Sequence, residues 1–139
     1  MRLYPYSPKV LALGGVMLIG MGLYFIFLRP PLLPEDARYM GTTLADMQAA
    51  APGLAGWLQK VFWVLGGYIF TVGLLTIYIA FSSFQARVRG AFPVLAFAGL
   101  SSVGWMATVN FIINSDFKWL LLVFTLVWAA ALVLYRIEK

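Results

Sequence analysis

The sequence contains no cysteine and no histidine. Those absences remove the disulfide, the thiolate nucleophile, zinc and iron–sulfur centres with their usual ligands, the histidine-held haem and the Ser-His-Asp triad. Charge is scarce as well. Only 11% of the 139 residues are Asp, Glu, Lys or Arg, against about 25% in an ordinary soluble domain. Apolar residues make up 63%, which argues against a water-soluble globule of this size. Ten Lys and Arg against five Asp and Glu give a formal charge of +5. These basic residues are scattered singly or in pairs rather than gathered into a stripe, so nucleic acid is not an expected partner. No metal and no cofactor is implied.

What remains is a set of long apolar runs. A helix rises about 1.5 Å per residue, so crossing roughly 30 Å of hydrocarbon takes about 20 apolar residues. Four stretches qualify, at approximately 10–28, 61–84, 92–114 and 117–135. Backbone amides find no water in lipid, and the runs lack the alternation of a barrel strand, so each is expected to be a helix. The sequence therefore predicts an all-α protein: a single integral membrane domain, a four-helix bundle, with an external segment at 29–60 between the first two spans. The first span is read as permanent, because no small-residue cleavage pattern follows it. Threading the chain four times puts Arg2, Lys9, Arg87, Arg89, Arg136 and Lys139 on one side, and Arg29, Arg38, Lys60 and Lys118 on the other. The positive-inside rule then places both termini in the cytoplasm. Trp57, Trp63 and Trp119 fall near the outer span ends, and Tyr4, Tyr6 and Tyr135 near the inner ends, as an interfacial belt requires.

The external segment is the least lipid-like part of the chain. Pro34 suits a first helical turn, Glu35 and Asp36 sit where the helix dipole favours negative charge, and Gly41 can end that helix in a left-handed conformation. Thr43 and Asp46 have capping-box spacing for a second short helix through about Ala50. Pro52 can restart the chain into the second span. Glu35, Asp36, Arg38 and Tyr39 form the densest polar cluster. At spacings of three and four, Glu35, Arg38 and Tyr39 share one helical face. They are candidates for holding a polar head group or docking a partner, with helix initiation and a local ion pair as the structural alternative.

No ionisable residue lies in the interior of any span, which disfavours a proton-coupled or ion-coupled transporter. Asn110 is expected to bond across to Thr71, Thr76 or a backbone carbonyl, with a ligand contact as the alternative. Asn114 and Ser115 are expected to cap the fourth helix. Glycines cluster at Gly14, Gly15, Gly20 and Gly22 and at Gly66, Gly67 and Gly73, which allows close helix approach within the bundle or between subunits. Trp105 and Trp128, with Tyr24, Tyr68, Met17, Met21 and Met106, either pack the bundle or line a cavity for a flat hydrophobic molecule.

Four spans in a chain of this length, a glycine-rich first span (LGGVMLIGMGLYFIFL) and a Pro-Glu element after it (LLPEDARYMG) together resemble small bacterial DoxX-like membrane proteins. The resemblance implies an integral protein of the bacterial cytoplasmic membrane. Some members of that group are components of membrane oxidoreductase assemblies, but the lack of cysteine sets a thiol-based role aside, and no functional residue is carried over. Three functions are expected in descending order. The first is a non-catalytic accessory or structural subunit of a membrane complex, whose partners are membrane lipids and either other proteins or further copies of itself. The second is a binder or carrier of a lipid or quinone. The third is an interfacial enzyme using Glu35, Asp36, Arg38 and Tyr39.

Overall fold

The computed structural model describes residues 5–138, so Arg2, Tyr4 and Lys139 lie outside the described residues. Every regular element among them is helical: α1 (Ser7–Phe27), α2 (Pro34–Met40), α3 (Leu44–Ala50), α4 (Leu54–Ile79), α5 (Ala91–Gly99), α6 (Trp105–Ile112) and α7 (Lys118–Ile137). A π turn at Ala80–Phe84 prolongs α4, and another at Leu100–Gly104 joins α5 to α6. Four continuous helices thus result, of 21, 31, 22 and 20 residues, each long and apolar enough to cross a membrane.

The short helices form where their caps predict. Pro34 opens α2, the Asp36 carboxylate accepts from the Leu33 amide at 2.8 Å, and Gly41 closes the helix at φ 70°. Thr43 caps α3, its hydroxyl accepting from the Asp46 amide at 3.1 Å. Helix α4 starts directly after the Pro52-Gly53 turn and runs through Trp57 into the second apolar run, as Pro52 suggests. The third apolar run differs from expectation: it is widened at Leu100–Gly104. Both π turns contain a Ser-Ser pair, and the hydroxyls of Ser82, Ser101 and Ser102 return to the carbonyls of Tyr78, Phe97 and Ala98 one turn back.

Packing follows the glycines. Helices α1 and α4 lie antiparallel, with Gly15 facing Gly73 and Gly22 facing Gly66. The seven-residue spacing is the same on both helices, so two turns bring each pair back to the shared face. Four of the glycines that sequence alone left open between bundle and subunit contacts, Gly15, Gly22, Gly66 and Gly73, therefore close an interface within the chain. On its other side α1 packs against α7, and α7 against α5 and α6. Leu11, Leu18, Phe84, Leu95, Val103, Phe124 and Trp128 form the buried core. Gly99 leaves room for the Trp128 indole to lie on the backbone and donate to the Leu95 carbonyl at 3.0 Å.

The two ends of the array differ. At the end holding the chain termini, the Glu138 carboxylate accepts from the Tyr6 amide at 2.7 Å, the Ser7 amide at 3.2 Å and the Ser7 hydroxyl at 2.6 Å. It thereby caps the exposed donors of α1 from the far end of the sequence. Tyr135 stacks on Phe84 with ring centroids 4.3 Å apart, while Arg87 lies over it and donates to its carbonyl. Tyr135 is thus part of the packing, not only of an interfacial belt. Helices α2 and α3 and the turn 113–117 occupy the opposite end.

Candidate functional site

Neighbouring helices close three of the four seams around this array. The fourth stays open: among the described residues α4 makes no close backbone approach to α5 or α6, and the second and third long helices meet only where α5 touches the Ala80–Phe84 turn. From that hinge they diverge toward the α2 end. The space between them is a cleft of about 710 Å³. Leu65 and Ile69 of α4 line one wall, and Trp105, Met106 and Asn110 of α6 the other. Met21 of α1 and Phe124 of α7 lie between. Tyr68 and Trp105 at the two lips are 70% and 63% exposed, so the cleft opens sideways as well as toward α2.

The lining is almost wholly apolar, and its charged groups are confined to the mouth: Arg29, Glu35 and Asp36. Arg29 leaves α1 and turns its guanidinium onto the face of Phe62, 3.5 Å from the ring centroid. It donates to the Pro30 carbonyl at 2.9 Å and lies 3.9 Å from an Asp36 oxygen. Burial lowers its pKa from the ordinary arginine value, and the nearby Asp36, Tyr24 and Glu35 offset part of that effect. Glu35 is buried and accepts from the Ser115 hydroxyl at 2.9 Å and the Asp116 amide at 2.8 Å. These two bonds latch α2 onto the turn before α7.

The polar cluster expected from sequence is therefore split by the fold. Glu35 and Arg38 do not pair with each other. Both reach to the 114–116 turn, where Arg38 meets the Asp116 carboxylate at 3.0 Å and the Asn114 carbonyl at 3.2 Å. Asp36 serves its own helix and faces Arg29. Tyr39 is 61% exposed and has no hydrogen-bond partner among the described residues. Neither Asn114 nor Ser115 caps α7 as expected: Phe117 takes the N-cap position without a side-chain cap, and the Ser115 hydroxyl accepts from the Phe117 amide at 3.1 Å within the preceding turn. Asn114 takes φ 52° and accepts from the Lys118 ammonium.

Asn110 does not bridge helices. Its Nδ2 donates to the Met106 carbonyl one turn back at 2.9 Å, the local alternative open to any Asn on a helix. Its Oδ1 and second Nδ2 hydrogen take no partner among the described residues, and the side chain borders the cleft. Tyr24 borders it too, and its hydroxyl is likewise unbonded there. Trp105 is placed at the lip, whereas Trp128 is buried in the core.

Several lining residues escape sequence reasoning, among them Arg29 and Gly20. Arg29 reads as no more than the boundary of an apolar run, because its return onto Phe62 depends on α4. Gly20 reads as one glycine among several, yet it lines the cleft and a Cβ added there would meet nothing within 4 Å. Comparison with family models, with curated proteins and with solved structures finds no match for this chain.

Proposed function

We propose that the protein spans a bacterial cytoplasmic membrane four times and holds a hydrophobic small molecule in the cleft between α4 and α6. The observation that carries this reading is the open seam. A well-packed set of helices has no reason to leave about 710 Å³ of apolar space against its own core, and that volume falls within the roughly 300–1,000 Å³ of small-molecule sites. A side opening between two membrane helices lets a lipophile enter from the bilayer without crossing water. Six Lys and Arg on the terminal side, Arg2, Lys9, Arg87, Arg89, Arg136 and Lys139, against four on the other, Arg29, Arg38, Lys60 and Lys118, support cytoplasmic termini. The array is then a binder or carrier, and α2 covers its outer mouth.

The exposed lips at Tyr68 and Trp105 also favour a second reading, the accessory subunit of a larger complex. Here a partner's membrane helix fills the same seam. The DoxX-like resemblance points the same way.

Gly20→Phe tests the first reading, because the new ring enters open space in the cleft instead of clashing. Native mass spectrometry of gently extracted wild-type protein should show a retained lipophile that the variant lacks. Equal retention by both proteins, or none by either, would overturn the binder. A bound polypeptide displaced by Gly20→Phe would establish the subunit.

A further inference from the structure

We infer that the ligand is a neutral-headed lipophile, an apolar chain ending in an uncharged hydroxyl or carbonyl, and that Asn110 and Tyr24 select it. This rests on the cleft being a lipophile site and concerns which lipophile it takes. The charged groups at the mouth already serve one another and the fold. Both Glu35 oxygens are occupied, by the Ser115 hydroxyl and the Asp116 amide. Asp36 accepts from the Leu33 amide and faces Arg29. Arg29 in turn is covered by Asp36, the Pro30 carbonyl and the Phe62 ring.

An anionic head would enter beside two carboxylates, and a cationic head beside a guanidinium. An anion would compete with Asp36 for Arg29, and a cation with Arg29 for Asp36, so either would give up hydration in an apolar site for a counter-charge that already faces another. Asn110 and Tyr24 are neutral groups on the lining with unused hydrogen-bonding capacity, and neither is hydrogen-bonded to a charged partner among the described residues. Asn110 offers an acceptor and a donor, and Tyr24 a hydroxyl, both on the cleft lining toward the α2 end. A hydroxyl or carbonyl head matches that inventory. From Met17 to Phe25, α1 borders the cleft along a rise of about 12 Å, so an extended chain lies along it.

The test compares three amphiphiles that share one tail: oleyl alcohol, oleate and oleylamine. They are titrated into detergent-solubilised protein at about pH 9, where a carboxylic acid is ionised and an alkylamine still protonated. Specific binding raises the unfolding temperature by mass action, and Gly20→Phe gives the background without a cleft. The alcohol should reach half its effect at a mole fraction roughly tenfold below that of either ion. Asn110→Leu should weaken the alcohol roughly fivefold while leaving both ions unchanged, as loss of one hydrogen bond requires.

Equal potency of all three would overturn head-group selection while leaving the cleft reading standing. Preference for oleate would make Arg29 the head-group ligand, and preference for oleylamine would give that role to the carboxylates. Either preference overturns the inference. If no amphiphile shifts wild type more than Gly20→Phe, the lipophile site itself fails.

Discussion

Gly22 and Gly66 meet backbone to backbone: a Cβ on Gly22 would stand 2.7 Å from the Gly66 carbonyl oxygen, and one on Gly66 would stand 2.8 Å from that of Gly22. Neither oxygen can yield without separating the helices. In the bilayer proposed above there is no hydrophobic drive to draw apolar helices together, so there this proximity and the dispersion it permits hold α1 to α4. Gly15 and Gly73 repeat the arrangement two turns away.

Gly66→Ala is accordingly expected to destabilise the protein by about 1–3 kcal/mol through overpacking. Its neighbour supplies the control. A Cβ at Gly67 meets nothing within 4 Å, so Gly67→Ala should be neutral or stabilise by up to about 1 kcal/mol through helix propensity. Thermal unfolding of both variants in one detergent makes the comparison. Equal losses would place the contact face elsewhere.

Glu138 links the first and last long helices and brings a pH dependence. Desolvation raises its pKa, but the Ser7 hydroxyl, the Tyr6 and Ser7 amides and the charge of Arg87 together outweigh it, leaving the carboxyl below its ordinary value of 4.5. A depressed pKa in the folded state means that the stabilisation is fully present above the unfolded value and is lost as pH falls through the folded one. Glu138→Gln should cost about 1 kcal/mol at neutral pH, as loss of a helix cap does. It should also flatten the fall in stability on acidification below 4.5. A variant whose acid limb matches wild type would remove Glu138 from this role.

The Glu35 latch predicts a local effect. Glu35→Ala removes both bonds to the 115–116 turn. Each hydrogen bond to a charged group contributes about 1.5–3 kcal/mol. Helix α2 should then exchange its amide hydrogens at least roughly tenfold faster, while the α7 interior keeps its protection. Uniform acceleration throughout the chain would show that Glu35 supports the whole fold and not the cover alone.

Trp128 offers a further check on the core. Trp128→Phe removes the donor to the Leu95 carbonyl beside the Leu100–Gly104 turn. A loss of about 1 kcal/mol is expected for a side-chain hydrogen bond between membrane helices. Gly99→Val should cost more, since its side chain would occupy the place of the indole. Unfolding midpoints of the two variants test the order.

Much of this architecture is legible from residues alone, because the determinants are local. The number of long apolar helices follows from run length, and the short helices follow from Pro34, Gly41 and the Thr43–Asp46 cap. What the sequence withholds depends on which helix faces which. The glycine pairs become visible as 15 with 73 and 22 with 66 only after α1 and α4 are set antiparallel. Glu35 and Arg38 look like partners at a spacing of three, yet a turn 80 residues away in sequence satisfies Glu35 better. Asn110 has no reach to a neighbouring helix because the seam on its side is open. That opening is a missing contact between α4 and α6, and no residue pattern announces a missing contact.

The most direct measurement places a diazirine-bearing amino acid at Met21, inside the cleft, and irradiates the protein in its native membrane before mass analysis. The account predicts one lipophile species, enriched over the bulk lipids and lost in the Gly20→Phe background. Adducts that mirror the bulk lipid composition, or a cross-linked polypeptide, would contradict it.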